Sequence, residues 1–115
     1  MYSDGHRTVQ KVGAPTAGGA TAVFRVVTSV PPASESVEIG RLAFQPNTIP
    51  EVGVKGFTNE CVLAIVRERL TEFQSGPFPC QENKAALAAV EDALRWLEKR
   101  TASRVERGVE GTHAK

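Results

Sequence analysis

Histidine and cysteine are scarce in this chain, and each shortage removes a class of chemistry. There are two cysteines, Cys61 and Cys80, and they do not form a C-x-x-C pair. The two histidines, His6 and His113, sit at opposite ends and offer no ligand spacing, so a structural zinc site lacks donors. Both cysteines fall at expected helix starts, where a thiolate is favoured, but no histidine stands near either to build a nucleophile. H-E-x-x-H and G-x-S-x-G are absent, and no carboxylate pair is set in an apolar stretch. Glu91 and Asp92 are adjacent and therefore splay on a helix. Charge of one sign is lacking too: 14 Lys+Arg against 13 Asp+Glu leave a formal net charge of +1, too little to generate the field that binds a nucleic-acid polymer. No apolar run approaches the ~18 residues of a membrane span, and residues 2–12 are too polar for a signal peptide. These absences predict a soluble intracellular protein that is not an enzyme and uses no metal, cofactor or membrane.

What is present changes grammar near Gly56. Before it, "TAVFRVVTSV" (residues 21–30), "SVEIGRLAFQ" (36–45) and "IPEVGV" (49–54) are short, β-branched and bounded by Pro, Gly, Asn and Ser, which predicts strands. Pro31-Pro32 separates the first two, and Pro46-Asn47 predicts a turn that makes a hairpin of the last two. "GAPTAGGA" (13–20) is too rich in Gly, Ala and Pro to pack, and no Gly-Lys-Ser/Thr follows it, so residues 1–20 read as a flexible arm rather than a phosphate loop. After Gly56, Thr58 or Asn59 can cap a helix running to about Gln74, with Val62, Ile65, Val66, Arg69 and Phe73 on one face. "SGPFPC" breaks it. A second helix starts at Cys80 or Gln81 and carries Leu87, Val90, Leu94 and Leu97 at alternating three and four, a near-heptad stripe. That stripe extends back to Asn83 and forward to Thr101 and Arg104, and Gly108 ends the helix. The expected fold is α+β: an antiparallel β-sheet or hairpin over residues 21–56, then a hairpin of two long antiparallel α-helices over 57–115, together one domain. In that hairpin the two helix starts lie at opposite ends, which disfavours a Cys61–Cys80 disulfide.

Taken residue by residue, the polar fringe of this stripe has ordinary explanations. Phe73 reads as core, and Asn83 as a first-turn residue serving a backbone group. Arg100, Arg104 and Arg107 complement the macrodipole at the end of a helix and can pair with Glu98 or Glu106. Trp96 lies one residue off the leucine stripe and is expected half-buried, against the sheet or a partner subunit.

Together, however, "F-Q…I-P-E-V-G-V-K-G…T-N-E", "P-F-P-C-x-E-N", "A-L-R-W-L-E-K-R-T" and the terminal "R-G-V-E-G-T-H" resemble the phage anti-defence sponges that counter the Thoeris immune system. The resemblance begins at Arg41 and covers about two-thirds of the chain. It implies a non-enzymatic protein that captures the cyclic ADP-ribose isomer (glyco-cyclic ADP-ribose) made by TIR-domain sensors, acting in the cytoplasm of the infected bacterial host. It further implies homo-oligomers, a dimer or a hexamer built as a trimer of dimers, some of which take cyclic di- or trinucleotides of CBASS at separate sites. The ligand contacts it implies are Phe73, Asn83, Arg100 and Arg104, with Arg107, Thr112 and His113 as further candidates.

Helix geometry adds a constraint. Asn83 and Arg100 are seventeen positions apart, ~25 Å on a continuous helix, too far for one ligand of this size. Phe73 is carried beside Asn83 by the short connection between the helices. A homodimer with antiparallel second helices would set Phe73 and Asn83 of one chain against Arg100 and Arg104 of the other, giving two equal pockets. The alternatives are a helical-hairpin assembly module without a small ligand and a nucleotide phosphodiesterase.

Overall fold

In the computed structural model, which describes residues 1–28, 36–110 and 112, the elements run β1 (Arg7–Val12), β2 (Val23–Thr28), β3 (Val37–Ala43), α1 (Ile49–Val52), α2 (Asn59–Ser75) and α3 (Gln81–Glu106). Pro31, Pro32 and His113 lie outside the described residues. The chain divides into two compact units, Met1–Phe57 and Thr58–Lys115.

The first unit is a three-stranded antiparallel sheet in the order β1-β2-β3. Central β2 is the most apolar strand and holds the buried Val27, whereas every residue of edge strand β3 is exposed. Two expectations are corrected here. Within the stretch read as a flexible arm, residues 7–12 form β1 and pair with β2 from Arg7↔Thr28 to Val12↔Val23. The Gly/Ala/Pro stretch is the connection of that hairpin, with a turn closed by Gly19 N–H donating to Thr16 O and Thr16 N–H to Ala20 O. Residues 49–54, read as a strand, instead begin with the single turn α1, and Pro46-Asn47 is not a hairpin corner. Proline has no N–H to donate to a ladder but suits the first turn of a helix, where Pro50 stands.

Gln45 organises the loop that contains α1. Its Nε2 donates to Asn47 O and Gly53 O at 2.8 and 2.7 Å, and its Oε1 accepts from Lys55 N–H at 2.9 Å. The chain then returns to the sheet end, where Gln45 N–H donates to Phe57 O and Phe57 N–H to Ala43 O.

The second unit is the helical hairpin. Thr58 caps α2 by accepting the Cys61 N–H at 3.1 Å, and Cys80 Sγ caps α3 by accepting the Asn83 N–H at 3.4 Å. The residues of α3 that are half-buried or buried include Asn83, Leu87, Val90, Leu94, Leu97, Thr101 and Arg104, which reproduces the predicted 4-3 stripe along 26 residues, or ~39 Å. On α2 the covered face differs from expectation. Val62 is half-buried as expected, but so are Leu63, Leu70 and Gln74, while Ile65, Val66, Arg69 and Phe73 are exposed. Helix α3 ends in a Schellman motif: Val109 N–H donates to Arg104 O, Gly108 N–H donates to Val105 O, and Gly108 has φ 71°.

Candidate functional site

Two clusters form at opposite ends of α3. The first surrounds the interhelix turn. Phe73 stands on the last turn of α2, 48% exposed, with the Arg69 guanidinium carbon 5.6 Å from its ring centroid. That spacing is i, i+4 on one helix face, within reach of a cation–π contact. Gln74 Oε1 accepts the Cys80 N–H at 3.0 Å, fastening the end of α2 to the start of α3 and carrying Asn83 to the same end of the hairpin as Phe73. Arg69, Glu72, Phe73, Gly76, Pro77 and Phe78 line an open depression of about 320 Å³. Sequence reasoning placed Arg69 on the face of Phe73 but gave no role to Glu72 or Phe78. The available signal was a phenylalanine between two prolines, in a turn with little core to enter.

The second cluster is at the far end, ~25 Å along the helix. Arg100 is exposed. Arg104, by contrast, is only 6% exposed and is the buried charged residue among those described. Its Nε donates to Glu110 Oε2 at 3.2 Å, and its Nη2 to the carbonyls of Val109 and Thr112, each at 3.0 Å. Its guanidinium therefore pins the segment after the helix back onto the helix end. Arg107 is the exposed C-cap residue, and Thr112 Oγ1 donates to Val109 O. Within one chain Phe73 and Asn83 lie at the end of the hairpin that holds the interhelix turn, Arg100, Arg104, Arg107 and Thr112 lie toward the other end of α3, and the two sets do not meet. The partner that sequence reasoning missed is Glu110, which lies inside the terminal R-G-V-E-G-T-H match.

Trp96, expected half-buried, is 63% exposed, with Lys99 Nζ 5.0 Å from its ring centroid. Cys61 and Cys80 are free and exposed. The hydrogen bond with the Thr58 side chain pulls the Cys61 thiol below its usual range. Among the described residues no group of three or more His, Cys, Asp or Glu can hold a metal ion, and no helix is long and apolar enough to cross a membrane.

A protein of Bacillus phage SBSphiJ7 named Thoeris anti-defense 1 is 49% identical over 79 residues, 66% of this chain. The chain spans 56% of that relative's length. Residues 40–102, from the middle of β3 through most of α3, match the family described as Acb2/Tad1, hairpin domain, and to that family the chain belongs.

Proposed function

We propose that this protein is a phage anti-defence sponge: it binds a cyclic ADP-ribose isomer such as glyco-cyclic ADP-ribose in the cytoplasm of the infected host and withholds it from the Thoeris effector without degrading it. The name of the phage relative and the family match support this direction. The observation that carries it is the division of the candidate contacts into an aromatic-amide cluster and an arginine cluster, too far apart on one α3 to hold one ligand. In a twofold dimer with antiparallel α3 helices, each cluster meets the complementary one of the other copy, making two equal pockets. The exposed Ile65, Val66 and Trp96 give such a partner an apolar surface to cover.

The chemistry suits a pyrophosphate joined to a purine. Arg100 offers a rigid fork for phosphate oxygens, and charge-assisted hydrogen bonds of this kind contribute ~1.5 to 3 kcal/mol each. Phe73 can stack on the base for ~1 to 3 kcal/mol, and Asn83 can bond a base edge or ribose hydroxyl. Arg104 enters the pocket only as far as Glu110 yields its place. Nanomolar capture requires ~12 kcal/mol, which two such pairs, one stack and a preorganised wall can reach. A trimer of these dimers would leave further shared surfaces for cyclic di- and trinucleotides.

Heterodimers test the shared pocket. With Asn83→Ala in one chain and Arg100→Ala in the other, both defects fall in one pocket and the second stays intact. Calorimetry against glyco-cyclic ADP-ribose should give half the wild-type stoichiometry at wild-type affinity; retention or loss of both pockets sinks the arrangement. Denaturing the complex should return intact ligand, and recovery of hydrolysed ligand would make the protein an enzyme.

A further inference from the structure

The depression at the interhelix turn holds groups that the four candidate contacts leave unused. Phe78 is 80% exposed although it lies between Pro77 and Pro79, which limit where its backbone can go. An exposed phenylalanine on a stiff turn, lining the same depression as Phe73, is a wall without a counterpart. Arg69 covers Phe73 from its own helix, so a planar ligand has the rest of the phenyl surface to use. Glu72 lines the same space, and among the described residues its carboxylate makes no ion pair or side-chain hydrogen bond. A carboxylate only accepts hydrogen bonds, so at the edge of a base it favours a donor and disfavours an acceptor. Adenine presents a donor at position 6, the exocyclic amine; hypoxanthine presents a carbonyl there.

We propose that Glu72 and Phe78 complete an adenine-selective base pocket with Phe73, Glu72 accepting from the 6-amino group and Phe78 forming the second apolar wall. This rests on the sequestration reading above and adds the discrimination between bases.

The test is calorimetry on the full chain with two probes, glyco-cyclic ADP-ribose and its inosine counterpart, in which the 6-amine is a carbonyl. Wild type should prefer the adenine form by about tenfold or more, the loss expected when a site built for a donor meets an acceptor. Glu72→Gln, whose amide can both accept and donate, should bring that ratio close to one, chiefly by improving inosine binding. Phe78→Ala should weaken both probes alike by roughly tenfold, with Phe78→Leu intermediate, and leave the melting temperature unchanged because the ring supports little of the fold. An unchanged ratio in Glu72→Gln, or unchanged affinity in Phe78→Ala, overturns the proposal while the sponge reading stands. Failure of wild type to bind either probe overturns both.

Discussion

Gly56 is the residue whose identity its surroundings dictate most strictly. A Cβ at this position would lie 2.5 Å from Ala43 O and 2.7 Å from the Phe44 carbonyl carbon, both backbone atoms that no rotamer change can move. Gly56→Ala should therefore cost about 1 to 3 kcal/mol by overpacking and lower the melting temperature of the sheet unit by several degrees, read by circular dichroism. No composition rule could give this, because the contact is made by residues twelve or more positions away. Asp4 shows the same dependence on local geometry. Its Oδ1 accepts the N–H groups of His6 and Arg7, and its Oδ2 bonds Arg7 Nη1 at 2.8 Å. Those backbone bonds, from His6 first and then Arg7, lower its pKa from 3.8 to about 2. A lowered carboxylate pKa stabilises the turn fully above pH 3.8, and the contribution disappears as pH falls through about 2. A proton-NMR titration should place the Asp4 midpoint near 2, with Asp4→Asn abolishing the pH response of the His6 and Arg7 amides.

At the scale of elements, the helical hairpin was legible and the first unit only in part. The 4-3 recurrence from Asn83 to Arg104, the Thr58 cap and the Gly108 stop are local signals, and the chain obeys them. The covered face of α2 was legible only at Val62, because both faces carry apolar residues and periodicity alone cannot say which faces α3. β1 escaped notice because "RTVQKV" is short and mixed, an edge strand held by pairing with β2 rather than by its own pattern. The candidate contacts followed from resemblance, but the engagement of Arg104 by its own tail depends on the chain doubling back at Gly108. Thr58→Ala should cost about 0.5 to 2 kcal/mol through loss of the bond to Cys61 N–H, measurable by denaturant unfolding. Arg104→Leu removes the donors to Glu110, Val109 and Thr112, which should release the tail while leaving α3 formed. Hydrogen exchange should then accelerate by at least tenfold at Thr112 and little at Leu94, since lost charge-assisted bonds are worth ~1.5 to 3 kcal/mol.

At the scale of the whole molecule, each unit has about sixty residues, a size at which a single core is marginal. Among the described residues Val27 and Leu94 are the only apolar side chains that are buried, while Ile65, Val66, Phe73, Phe78 and Trp96 remain exposed. A chain so thinly packed should gain stability from a second copy, and its melting temperature should rise with protein concentration; a concentration-independent value would argue for a self-sufficient monomer. In the proposed dimer half of each pocket lies on a different copy, so the ligand would clamp the assembly: titrating it into dilute protein should drive monomers into dimers, read by analytical ultracentrifugation. The number of competent traps would then grow with the square of chain concentration while monomers predominate, and linearly once they are consumed. In the proposed dimer, a core that buries only Val27 and Leu94 among the described apolar side chains would translate into a dose threshold, below which newly made chains would leave the signal almost untouched and above which each further chain would add its full share of capture.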